Sequence, residues 1–298
     1  MGVLIMKDHL YIPDNKSVQL YSLKEKKFIR FIGKMGIGPG EYMEDPAVCF
    51  QFPDKILINS FMNRKLLTFT ITGDFIKERR YIFMASRLEP VGSNYVVSTQ
   101  SYFRGKERKS FNEIVLYDSE FIKIKELLID EILDPLKRID VVGVKPSFRI
   151  YKDKIYVSIP KDGLVFEIFA KGGKSIGRIQ KDYKKVKVPQ EYKSKKIAEI
   201  KEQKREYWHL LKNTIYFSEY FPALRDFMLC SDKIYARTWI EKGDNTEFIV
   251  IDLNGNGVKH IQLPKAGELY TFVNDQYWYL IENMDEETWE IHSLSVDK

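Results

Sequence analysis

Apolar and polar residues alternate along most of the chain in short runs separated by glycine, asparagine and aspartate. Residues 18–22, 66–70, 113–117, 165–169, 247–251 and 289–294 keep this period of two, and the spacing predicts strands with one face toward a core. Each run follows a copy of one small pattern. The copies are Asp8-His9-Leu10-Tyr11, Asp54-Lys55-Ile56-Leu57, Ser93-Asn94-Tyr95-Val96, Asp153-Lys154-Ile155-Tyr156, Asp232-Lys233-Ile234-Tyr235 and Asp275-Gln276-Tyr277-Trp278. A further run precedes several copies (48–52, 148–151, 225–229). Turn residues such as Thr72-Gly73-Asp74 and Asn254-Gly255-Asn256-Gly257 introduce a last strand in most repeats. Four strands per unit, recurring about every 40 residues, is the signature of a propeller blade.

The pattern therefore predicts an all-β fold, a six-bladed β-propeller with mostly four-stranded antiparallel blades and a helical insertion between blades 4 and 5. A closed ring is one domain, 1–298, with blades near 1–33, 46–82, 86–128, 146–180, 222–264 and 268–298. The insertion, 189–213, follows Pro189 and mixes lysine with glutamate around Ile197, Ile200, Tyr207, Trp208 and Leu211. That stripe predicts one helix over 191–211, packed over the blade 4–5 junction, with a lid or docking helix as the alternative. Repeat 6 lacks a run for a fourth strand. Two expectations follow: a native start further upstream that supplies a closing strand and an export signal, or a three-stranded last blade.

The long segments fall unevenly. In a four-stranded blade, the loops from strand two to three and from blade to blade share one face. Residues 34–45, 127–146 and 180–222 are blade-to-blade connections, and the basic loop from Arg104 to Lys109 is a strand-two-to-three loop. Every elaboration thus falls on one face, where a rigid scaffold usually carries its binding residues.

Composition narrows the classes of function. A formal net charge of +6 permits an anionic partner without demanding one. Nucleic acid is disfavoured, because Glu107, Asp130, Glu131 and Asp134 dilute the basic loop on the same face. Cys49 and Cys230 fall in blades 2 and 5, too far apart for the roughly 7 Å that a disulfide spans, so two free thiols are expected. No apolar run reaches the roughly 18 residues of a membrane span. A monomer is expected, and the compartment is left open.

Three inner strands begin alike, at Pro46-Ala47-Val48-Cys49, Pro146-Ser147-Phe148-Arg149 and Pro222-Ala223-Leu224-Arg225. Equivalent offsets put Arg149 and Arg225 on neighbouring blades near the channel mouth, where two guanidiniums suit a carboxylate or phosphate. The competing expectation gives each a local acid, Asp226 or Glu219. Arg104 of the basic loop and Glu41 join them as candidate ligand-binding residues, and Glu44, Asp45 and Asn274 are the other polar groups near inner-strand ends. His9, His209, His260 and His292 lie in separate repeats, with no metal-ligand spacing among them. No hydrolase, zinc-protease or Cys-x-x-Cys motif is present. The glycines of 33–40 lead into a strand rather than a helix, so they read as a turning connection and not as a phosphate cradle.

The segment Gly33-Lys34-Met35-Gly36-Ile37-Gly38-Pro39-Gly40-Glu41-Tyr42 resembles the Gly-Pro-Gly-Glu-aromatic segment of bacterial six-bladed propellers related to the NHL-repeat family. Asn63-Arg64, Phe69 and Gly73-Asp74-Phe75 are similar to that family's repeat, as is Phe221-Pro222-Ala223, while Asn59 stands where the family tends to have aspartate. The resemblance implies the propeller fold and an exported or lipid-anchored protein. It also brings an alternative, since related propellers include calcium-dependent lactonases and metal-dependent lyases. The expected function is a non-catalytic binding module without a cofactor, taking a protein or small anionic ligand on the elaborated face. The alternative is a calcium-dependent hydrolase or lyase with its centre in the channel.

Overall fold

A computed structural model describes residues 4–14, 17–43, 46–51, 53–102, 110–132, 138–266, 269–283 and 288–296. Five four-stranded sheets and one three-stranded sheet form the blades of a six-bladed propeller. Blade 1 runs Leu4–Met6, His9–Asp14, Ser17–Ser22 and Lys27–Ile32, and blade 2 runs Ala47–Gln51, Lys55–Ser60, Lys65–Thr70 and Phe75–Arg80. Blade 3 comprises Ala85–Val91, Asn94–Tyr102, Ser110–Tyr117 and Lys123–Ile132. Blade 4 comprises Ser147–Tyr151, Lys154–Ser158, Leu164–Ala170 and Ser175–Lys181. Blade 5 has Asp226–Cys230, Lys233–Lys242, Asn245–Asp252 and Val258–Pro264, and blade 6 has Tyr270–Val273, Gln276–Asn283 and Thr288–Ser295. First strands touch from blade 2 through blade 6 and on to blade 1, so they line the axis.

The repeated pattern has a structural cause. Lys152-Asp153, Ser231-Asp232 and Asn274-Asp275 all carry φ between 47° and 58°, the two left-handed residues of a tight hairpin between strands one and two. Aspartate and asparagine tolerate that conformation better than most side chains. The carbonyls of Asp8, Asp54, Asp232 and Asp275 then accept the N–H that follows strand three (Leu23, Ile71, Leu253 and Val296). The third residue of every copy, Leu10, Ile56, Tyr95, Ile155, Ile234 and Tyr277, is buried.

Burial is organised by junction rather than in one central mass. Phe166 meets Phe227 between blades 4 and 5, with ring centroids 5.0 Å apart, and Tyr235 stacks on Phe272 between blades 5 and 6 at 4.0 Å. Leu10 and Ile12 of blade 1 pack with Leu280 of blade 6, which closes the ring by apolar burial. Cys49 and Cys230 are both free.

Two features differ from the sequence expectations. The last strand of blade 3 runs to Ile132 rather than to residue 128, because Leu127 and Leu128 pack at the blade 3–4 junction and hold it in the sheet. The single helix over 191–211 is interrupted. An α-helix spans Gln190–Gln203, Lys204 leaves the helical region at φ −119° and ψ 35°, and Arg205–Tyr207 and Trp208–Leu211 follow as short turns. None of these helical residues is buried, and Ile197 is exposed. Tyr192 anchors the helix instead, meeting Phe221 edge-on at 5.0 Å beside Val142, Val188 and Trp239. Lysine and glutamate favour a helix here without providing a face that must be covered. Blade 6 has three strands among the described residues, in keeping with one of the two expectations for it.

Candidate binding face

With antiparallel strands in sequence order within each blade, the connections between blades emerge on the side of the loops from strand two to strand three. Two of these connections build on each other. Ile139–Asp140 of the blade 3–4 connection pairs in parallel with Ile215–Tyr216 of the blade 4–5 connection. Asp140 fastens the join: its Oδ1 accepts the N–H of Ser218 at 3.2 Å and of Val142 at 3.3 Å, and its Oδ2 accepts the Ser218 hydroxyl. The helix of residues 190–203 is anchored beside it through Tyr192, which packs with Phe221, Val142 and Phe217.

Charge on the face is concentrated. Residues 181–219 hold eleven lysines and arginines against six acids, which is five of the chain's net +6. Lys184, Lys185, Lys195, Lys201 and Lys204 are exposed, and beside them Tyr207 and Leu210 keep 59% and 62% of their surface.

The candidate arginines sit differently from each other. Arg149 is buried at the start of blade 4, donating from Nη2 to Asp226 Oδ1 at 2.7 Å and from Nη1 to the Phe148 carbonyl at 2.8 Å. Asp226 Oδ2 accepts the Tyr270 hydroxyl at 3.3 Å, so the pair ties blades 4, 5 and 6 together at the axis. Burial, reinforced by nearby Arg87, lowers the Arg149 pKa from its ordinary value, and Asp226 opposes that shift. Arg225 is more open. Its guanidinium lies 5.1 Å from the Trp239 ring centroid and 3.6 Å from Glu241, and the same carboxylate takes Lys265 at 2.8 Å. Two cations share one acid there. Glu219 pairs with Lys187 at 3.8 Å, not with Arg225.

Glu41 is engaged inside its own loop. Its Oε2 accepts the Gly38 N–H at 2.8 Å and its Oε1 lies 3.1 Å from Lys34, contacts that hold its carboxyl below the usual range. A Cβ at Gly33, where φ is +67°, would come within 2.6 Å of the buried Tyr42 ring, so only glycine fits. From blade 2, buried Lys65 donates to the carbonyls of Ile37 at 3.0 Å and Gly38 at 3.2 Å, and to Glu78 at 3.1 Å. The glycine segment is thus a self-closed loop with its turns filled by protein groups.

Arg104 and its basic loop, and Glu44 and Asp45, lie outside the described residues. Asn274 is one of the left-handed hairpin residues, on the opposite face. Among the described residues, no three His, Cys, Asp or Glu side chains are grouped so as to hold a metal ion. The sequence expectations omitted Lys65, Trp239, Lys265 and the Arg87–Glu89 pair, whose Nε–Oε1 distance is 2.6 Å. Only the last had a signal, opposite charges two apart on a strand and therefore on one face.

Comparison with known proteins places the architecture in context. The presumed exported protein of Bacteroides fragilis aligns over 94% of this chain and 78% of its own, at 17% identity and a TM-score of 0.59. A DUF4221-family protein from Bacteroides vulgatus aligns over 99% of this chain and 92% of its own, at 11% identity and a TM-score of 0.57. These likenesses are of fold. No curated protein matches the chain. Among the described residues no helix is long and apolar enough to cross a membrane. Residues 2–226 match the family described as DUF5128, 6-bladed beta-propeller, and the chain belongs to that family.

Proposed function

We propose that this NHL-like propeller is a non-catalytic binding module that takes an acidic partner, a carboxylate-rich protein segment or a small anion, on its blade-to-blade face. The observation that carries the proposal is the five net positive charges of residues 181–219, where Lys184, Lys185, Lys195, Lys201 and Lys204 are all exposed. Arg225, which shares Glu241 with Lys265, extends the same positive surface toward the axis. Tyr207 and Leu210 supply apolar contact beside the lysines, the mixture that gives interfaces both steering and a dry centre.

The test uses a fluorescently labelled oligoglutamate peptide and anisotropy over a range of salt. Binding should weaken as salt screens the exposed lysines. It should fall by about tenfold or more when Lys184, Lys185, Lys195 and Lys201 are together changed to glutamate, a loss of about 1.4 kcal/mol. Equal affinity in that variant, or a labelled nucleic acid that outcompetes the peptide at every salt concentration, would overturn the proposal.

A further inference from the structure

Strands three and four pair in blades 1 to 5, and one cross-strand pair recurs in each. Its strand-three member directly precedes the residue opposite the third position of the repeated pattern. In four blades that buried residue faces a long cation on the same side of the sheet: Leu20 with Arg30, Thr68 with Lys77, Leu116 with Lys125 and Val250 with Lys259. In blade 4 the partner of buried Ile168 is Gly177. Elsewhere the stem of the cation covers the neighbouring blade. Gly73, Gly173 and Gly255 occupy one place in the turns before strand four, each donating its N–H to the last residue of strand three. A Cβ on Gly73 would lie 3.5 Å from Arg30 Cδ of blade 1, and one on Gly173 would lie 3.3 Å from Lys125 Cδ of blade 3. At Gly255 of blade 5, beside blade 4, no heavy atom of the described residues comes within 4 Å of that point apart from its chain neighbours. Nothing in the backbone forces glycine at 177. Its φ lies outside the left-handed region, and a Cβ there would meet Ile168 Cδ1 at an ordinary 3.7 Å. A strand-interior glycine of this kind leaves room for another group to approach.

The missing stem leaves a cleft of about 350 Å3 at the blade 4–5 junction. That volume falls within the roughly 300–1,000 Å3 of small-molecule sites. Buried Tyr156, Ile168 and Ile179 line it with apolar surface. Among the described residues its charged groups are Lys152, Lys154, Arg178 and one acid, Asp232. Lys152 holds both oxygens of Asp232 at 2.8 Å, and Arg178 reaches Glu167 at 2.7 Å. Lys154 is exposed and makes no ion pair among the described residues. We propose that this cleft holds a small amphiphilic carboxylate, its apolar chain in the place of the missing stem and its carboxylate on Lys154. The sign of the charge follows from the rim. Asn256 stands in the turn where blade 2 has Asp74, the acid that receives Arg30 at 2.8 Å, so a cationic ligand lacks that partner. An anion instead gains a charge-assisted hydrogen bond from Lys154. The cleft opens beside the hairpin of Lys152 and Asp153, on the face opposite the basic one, so this inference and the acidic-partner proposal stand or fall separately.

The experiment is isothermal titration calorimetry with decanoate. One decanoate should bind per chain, with the negative heat-capacity change of apolar burial. Gly177→Lys gives blade 4 the kind of side chain that the other four blades carry at this place. It should lower the affinity by tenfold or more even though it adds a positive charge, because the stem fills the cleft. Lys154→Glu, at an exposed side chain, should lose as much, and it carries the test should the first variant fail to fold. Oligoglutamate, which has the charge but no apolar chain, should not displace decanoate. The proposal is overturned if decanoate does not bind, or if either folded variant keeps the wild-type affinity. Displacement by oligoglutamate also overturns it, since charge alone would then suffice.

Discussion

Lys65→Met removes the three donors that close the glycine loop while keeping a side chain of similar length. The ammonium is 4% exposed and contacts two carbonyls and Glu78, whose side chain is 24% exposed. Removing one member of a buried ion pair typically costs about 3–5 kcal/mol, because the other is left uncompensated. Partial exposure of Glu78 lets water recover some of that, which places the expected loss near the low end, about 3 kcal/mol. Unfolding entropy of about 2.1 cal/mol/K per residue then converts the loss into a Tm lowered by about 5 °C. The assay is urea unfolding followed by fluorescence, with the midpoint falling and the slope unchanged. Glu78→Gln should cost less, about 1 kcal/mol, since Lys65 keeps both carbonyls as acceptors. A loss below about 1 kcal/mol in Lys65→Met would refute the reasoning, because the loop would then hold its shape without this buried cation contact.

Asn59→Asp should destabilise the fold by about 2 kcal/mol or more, measured by the same unfolding assay, since a carboxylate cannot donate to the Ala85 carbonyl that the amide reaches at 3.0 Å. The Glu41 carboxyl is lowered in the folded state by the Gly38 N–H and Lys34. Its stabilisation is therefore complete above the unfolded value of about 4.3 and is lost as pH falls through the lower folded value, so Glu41→Gln should flatten that part of the acid limb of a Tm–pH profile. Calcium added to metal-stripped protein should leave Tm unchanged. A site filled to a hundredfold excess over Kd would raise stability by about 2.7 kcal/mol, and such a rise would favour a channel hydrolase or lyase over a binding module.

The blades were legible because their determinants are local and repeated. Aspartate in a left-handed turn, an apolar residue two positions on, and alternation after it recur at a spacing that only a ring of sheets uses. The placement of the long connections on one face followed from strand order alone. The helix was legible as an element but not in its packing: Ile197 and Ile200 suggested a buried stripe, yet Tyr192 makes the anchoring contact. The site was least legible, because its partners are distant in sequence. Asp226 was named as an acid for the candidate arginines and does take Arg149, from the next blade, whereas nothing in the sequence tied Lys65 to the carbonyls of Ile37 and Gly38. Asn59 has a role visible only in three dimensions, since its amide gives one hydrogen bond to the Ala85 carbonyl and accepts another from the Tyr81 hydroxyl.

The central claim is that the basic blade-to-blade face is where the partner lands, and a hydrogen-exchange footprint with the oligoglutamate peptide bound tests it most directly. Protection should rise in peptides covering residues 181–219 and around Arg225. Protection confined to the opposite face, at the hairpins around Lys152, Lys154 and Lys233, would contradict the account.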